Sequence, residues 1–184
     1  MTPRFAVLAG TLVALGGCGS TTAGPTVSTL KNDGFVSGTV TYASGFVAGE
    51  AGAVVLGPQS KAFTIQDVMF MFGGADTVET ITLTIYADAG NDNPGAVLYS
   101  HDYPLTPSDA ALQDLDLTAQ HIAVDAGQKI RVAVFLQHDG LPAFAKDGDG
   151  ITTGRNYVYS SGWTKAETLG ITGDWIIRAR IVTN

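Results

Sequence analysis

Glu79-Thr80-Ile81-Thr82-Leu83-Thr84-Ile85-Tyr86-Ala87 alternates without a break, an aliphatic residue following each threonine or tyrosine. A period of two is that of an extended strand, whose successive side chains point to opposite faces. Ile81, Leu83, Ile85 and Ala87 therefore share one face, and Thr82, Thr84 and Tyr86 share the other. The pattern recurs over 129–137, with Ile130, Val132, Val134 and Leu136 expected inward and Arg131, Ala133 and Phe135 outward. It returns over 175–182, where Trp175, Ile177, Ala179 and Ile181 oppose Ile176, Arg178 and Arg180. The two arginines are expected to pair with Asp or Glu across the sheet.

Around these three strands, shorter ones are expected over 35–42, 51–56, 63–72, 96–103, 115–124 and 157–160, separated by Gly- and Pro-rich turns. Only 108–115 offers a short helical turn. Eight or nine short strands predict an all-β, antiparallel β-sandwich occupying 31–184 as one domain. The alternating helices of a parallel α/β fold, with its nucleotide site, are missing from the pattern. The 184 residues carry 10 Lys and Arg against 17 Asp and Glu, a net charge of −7, which opposes nucleic-acid binding. A single cysteine excludes a disulfide framework and a thiolate zinc site.

That cysteine has a context. Residues 1–17 open with Arg4 and run through an apolar stretch, 5–15, that is too short to span a bilayer and suits a signal peptide. Leu15-Gly16-Gly17-Cys18 follows, and it resembles the lipobox of bacterial lipoproteins. The resemblance implies cleavage before Cys18 and lipidation of Cys18, which would be the protein's link to a membrane. Several acyl chains hold far more firmly than one. Gly19, where Asp would retain such a protein at the inner membrane, implies the outer membrane of a Gram-negative cell envelope. Residues 18–30, rich in Gly, Ser and Thr, read as a flexible tether.

Two further segments carry a resemblance of fold. Asp88-Ala89-Gly90-Asn91-Asp92-Asn93-Pro94-Gly95-Ala96-Val97-Leu98-Tyr99-Ser100 looks like a hairpin of bacterial surface jelly-roll modules, and Gly173-Asp174-Trp175-Ile176-Ile177-Arg178-Ala179 looks like their closing strand. Such modules serve as adhesin-like or carbohydrate-binding accessory domains. The resemblance implies a jelly-roll-like sandwich and leaves activity open, because a shared fold does not transfer function.

The residues themselves offer little catalytic chemistry. There is no Gly-x-Ser-x-Gly, His-Glu-x-x-His or phosphate-cradling glycine loop. His101 and His138 each precede an Asp, but neighbours on a strand face opposite ways. A hydrolase with paired carboxylates is the third reading, since only Glu50, Glu79 and Glu167 supply glutamate and most Asp sit in turns. Two loops are candidate calcium sites: Asp88, Asn91, Asp92 and Asn93 in one, Asp147 and Asp149 in the other. Their composition fits a structural calcium ion, and it equally fits solvated turns closed by side-chain-to-backbone bonds. Trp163, expected in a loop, is the candidate ring for stacking on a sugar, with Tyr157, Tyr159 and Phe144 bordering it; it also fits as a cap on the open end of the sandwich. The expected role is binding or adhesion without catalysis, the partner a glycan or an envelope protein. The alternative is a structural envelope component that binds another protein or itself.

Overall fold

Strands that each carry one apolar face bury those faces against each other. They do so in the computed structural model, which describes residues 24–37, 40–74, 77–140 and 143–183. In chain order the first strands are β1 (Thr26–Leu30), β2 (Thr41–Ala43), β3 (Ala51–Leu56), β4 (Phe63–Phe70), β5 (Phe72–Gly73), β6 (Glu79–Ala87) and β7 (Val97–Leu105). Then come β8 (Gln113–Asp116), β9 (Ala123–Val124), β10 (Ile130–Leu136), β11 (Ala143–Lys146), β12 (Asn156–Tyr159), β13 (Trp163–Lys165) and β14 (Ile177–Thr183). Among the described residues the helical pieces are two 3-10 turns, Thr118–Gln120 and Ala166–Leu169.

One sheet has the order β1-β14-β4-β8, with β9 also on β4; a second, of six strands, runs β13-β12-β3-β10-β6-β7. A small third sheet, β2-β11-β5, lies beside them. The fold is an all-β antiparallel sandwich, as the alternation predicts. Ile81, Leu83 and Ile85 on β6 and Val132, Val134 and Leu136 on β10 face Ile65, Val68, Phe70, Ile177, Ala179 and Ile181, all shielded from water. At one end Phe46, Phe72, Phe144 and Trp175 close the gap between the sheets, with Phe46 and Phe144 centroids 4.7 Å apart and Phe144 and Trp175 5.7 Å apart. Gly52 lets the Phe144 ring lie on β3, since a Cβ there would come within 3.0 Å of it.

Both closing-strand arginines find carboxylates. Arg178 grips buried Asp33 with its Nε and one terminal nitrogen, and Arg180 reaches Asp67 at 3.2 Å and Asp114 at 3.6 Å.

Several expectations need correction. Thr26–Leu30 is not tether but edge strand β1, paired from Thr26↔Thr183 to Leu30↔Ala179. Backbone pairing and burial of Leu30 hold it, although four of its five side chains are exposed. The strand expected over 35–42 is reduced to β2, and that over 115–124 is split by the Thr118–Gln120 turn, which ends at His121 with φ of 50°. No helical turn forms over 108–115, where β8 pairs with β4. Cys18 and the leader lie outside the described residues.

The pairing of β1 makes a stability difference. A chain begun at Lys31 should unfold more readily in urea than one begun at Gly24, by about 2 kcal/mol for the lost burial of Leu30 alone. Equal midpoints would show that β1 contributes nothing.

Candidate binding face

The outer surface of the six-stranded sheet was expected to face water at Arg131 and Ala133, yet both residues are fully buried. Pairing register explains what covers them. One row crosses all six strands as Trp163↔Tyr159↔Ala51↔Phe135↔Thr82↔Asp102. The next runs Lys165↔Tyr157↔Ala53↔Ala133↔Thr84↔Ser100. Small alanines on β3 and β10 leave a trough in the middle, and large rings from both sides lie in it.

Trp163 is not in a loop: it opens β13 and leans over that trough. Its ring stands 5.2 Å from Tyr159, 6.0 Å from Phe135 and 6.1 Å from Tyr86, centroid to centroid. Each of these four side chains is half-buried, so each still presents an edge or face to solvent. Ala53, Val55, Ala133 and Tyr157 lie beneath them as a second small core, separate from the one between the sheets.

Arg131 holds this layer in place. Its guanidinium carbon lies against the face of the Tyr157 ring, 3.9 Å from the centroid, and 5.3 Å from that of Trp163, both within cation–π range. Its terminal nitrogens donate to Asp88 Oδ1 at 2.9 Å, to the Asn91 carbonyl at 2.8 Å and to the Asp92 carbonyl at 2.6 Å. The Asp88 side chain is itself almost wholly buried. Across the roof, Lys165 Nζ lies 3.4 Å from Asp92.

The Asp88 loop and the Trp163 hairpin, read from sequence as separate candidates, thus meet on one residue that sequence reasoning left outside. Oxygens gathered for calcium already receive a cation belonging to the chain, and Asn93 points none at it. Tyr157 and Tyr159 do border Trp163. Phe144 does not: it lies between the sheets in the core, because β11 pairs with β2 and β5 rather than with β12.

Beside the rings lies a polar strip. Thr82 donates to Asp102 Oδ1 at 2.6 Å, exposed Gln137 donates to Thr82, and Thr84 and Ser100 hydroxyls are 3.0 Å apart. The hairpin that carries Trp163 is strained at Ser161, whose φ of 116° is unusual for any residue but Gly.

The second acidic loop differs. Asp147 is buried; its Oδ1 accepts from Asp174 N–H at 2.8 Å and its Oδ2 from Gly34 N–H at 2.7 Å. Gly173 sits so close, at φ 100°, that a Cβ would meet the Asp147 carbonyl oxygen at 2.2 Å. Asp149, exposed, lies close enough to Asp147 for its charge to act on it, and packs on Gly34. Burial above all, then the nearby Asp149 charge, pushes the Asp147 carboxyl up to about 6, against the lowering pull of the two N–H donors.

The histidines gather no site. His101 lies on edge strand β7 beside Tyr103, and His138 Nε2 stands 2.6 Å from Glu79 Oε2 without the alignment of a hydrogen bond. Among the described residues no three His, Cys, Asp or Glu side chains cluster as metal ligands.

No protein-family model and no curated protein matches this chain. Among solved structures it resembles the cysteine protease and lectin-like domains of Cwp84, a surface layer associated protein of Clostridium difficile. The TM-score is 0.54 at 14% identity, over 75% of this chain and 33% of that one. A second structure, clostridial Cwp84 after propeptide cleavage, gives 0.54 at 15% identity, over 76% of this chain and 37% of that one. The likeness is one of fold. This chain spans about a third of the solved chains it matches.

The Asp147–Asp149 pair gives a pH signature. With its folded value near 6 against an ordinary 3.8, protonated Asp147 contributes stability that is complete below about pH 4 and lost as the pH rises through about 6. Asp149→Asn removes the neighbouring charge and supplies an N–H donor. In EDTA it should raise Tm at about pH 7.5 and leave Tm almost unchanged at about pH 4. An equal shift at both pH values would refute the coupling.

Proposed function

We propose that this chain is the binding domain of a lipid-anchored bacterial envelope protein, a non-catalytic module of adhesin type whose ligand is a glycan. The observation that carries the reading is the outer row of the six-stranded sheet. Half-buried Trp163, Tyr159 and Phe135 lie beside Thr82, Gln137 and Asp102, flat apolar rings next to amide, hydroxyl and carboxylate groups. Sugars ask for that combination, C–H faces for the rings and hydroxyls for the polar strip. The fold likeness to a surface-layer structure that includes a lectin-like domain agrees with this reading.

A non-catalytic role is supported by the carboxylates nearest the rings. Asp88 is held by Arg131 and Asp102 by Thr82, which leaves neither poised as a general acid. Anchoring through Cys18 at the outer membrane is supported by the lipobox-like run. Calcium, as a structural ion, suits Asp147 and Asp149, two neighbouring carboxylates with Gly148 between them and Gly150 after them.

The test is a glycan array probed with the detergent-solubilised full chain, in calcium and again in EDTA. Binding to one sugar class should fall at least about tenfold in Tyr159→Ala and in Gln137→Ala, the loss of one stacking or hydrogen-bonding contact. EDTA should weaken binding only through stability. Binding untouched by both substitutions would move the ligand site elsewhere. Absence of binding across the array would favour an envelope protein as partner.

A further inference from the structure

We propose that the end of the sandwich where β1 begins is a surface that faces the lipid bilayer. The proposal rests on the lipid anchor at Cys18. Thr26 lies opposite Thr183, Thr183 opposite Phe63, and Phe63 opposite Val124, so the chain enters the domain at that end. Two turns share it: 57–62 between β3 and β4, and 125–129 before β10, tied together by Gly127 N–H donating to the Gln59 carbonyl at 2.8 Å.

Chain length limits the alternatives. Cys18 and Thr26 are eight residue steps apart, about 26–29 Å when pulled straight. Strand β4 alone spans roughly 25 Å, before the loops at either end are counted. Turning the far end to the membrane would require the whole tether to run taut along the domain, against the conformational entropy of every residue in it.

The surface chemistry at the entry end suits the partner. A cavity of about 430 Å³ is lined by Lys61, Ala62, Phe63, Thr64, Ala123, Val124 and Asp125. Val27, 61% exposed, extends this patch toward Val182. Phe63 and Val124 in that lining, with Val27 and Val182 beside them, give this end apolar side chains to set against the bilayer interface. The row Trp163–Tyr159–Ala51–Phe135–Thr82–Asp102 lies at the opposite end, since Ala51 and Phe135 are remote from Leu56 and Ile130 on their own strands. The domain is thus two-ended, one end for the bilayer and one for the ligand.

The test uses the full chain purified from a Gram-negative host and reconstituted in vesicles of phosphatidylethanolamine and phosphatidylcholine that contain a headgroup-spin-labelled lipid. Lipidation occupies the thiol of Cys18, the one native cysteine, so Ser60→Cys and Ser44→Cys each accept a single fluorophore. Both serines are exposed, Ser60 at the entry end and Ser44 at the far end. Quenching by the spin label should be several-fold stronger for the Ser60→Cys fluorophore. Equal or stronger quenching at Ser44→Cys, with lipidated Cys18 seen by mass spectrometry, overturns the proposal alone. A chain whose Cys18 carries no lipid overturns the anchor and the proposal together.

Discussion

A guanidinium without access to water stands on what should be the wet face of a sheet, and the candidate face is arranged around it. Burying one charge is costly unless it is paired and hydrogen-bonded. Arg131 meets that demand with Asp88, two main-chain carbonyls and two aromatic rings. Each partner is thereby fixed: the 88–93 loop folds up against the sheet, and the β12–β13 hairpin folds down over it. Nε of Arg131 finds no acceptor among the described residues, so the rings act as its remaining counterpart.

The consequence for function is a division of labour on one sheet. Its inner face supplies Ile, Leu and Val to the core. Its outer face has a sealed middle over the alanines and, toward one end, rings and polar groups that keep some exposure. A face prepared in this way needs little reorganisation to receive a flat ligand, because its rings are already held by their neighbours. The bilayer-facing surface proposed at the other end makes the same point about placement: where the chain enters decides which loops can look outward.

Much of the fold was legible. Strict alternation over 79–87 and 130–136 marked the inward residues, and all of those aliphatics except Ala87 are buried. Alternation says which residues share a face but is silent about what lies over that face. For that reason Arg131 read as solvent-exposed: its roof comes from Tyr157 and Trp163, more than 25 residues onward in the chain. The calcium reading of Asp88–Asn93 failed to foresee Arg131 for a related reason, since a guanidinium and a metal ion seek the same oxygens. Phe144, in a run of Ala-Phe-Ala, carries no periodic signal, and only the pairing of β11 with β2 and β5 turns it into the core. Thr26–Leu30 looked like tether because an edge strand held by backbone pairing needs few apolar side chains.

Arg131 holds the aromatic layer in place. Trp175 is fully buried, so collisional quenching of tryptophan emission by acrylamide reports chiefly on Trp163. In Arg131→Met, with strand content intact by circular dichroism, the quenching constant should rise clearly above that of the unsubstituted chain, because the ring loses the cation beneath it. An unchanged constant would mean that the rings hold one another without Arg131, and would contradict the account.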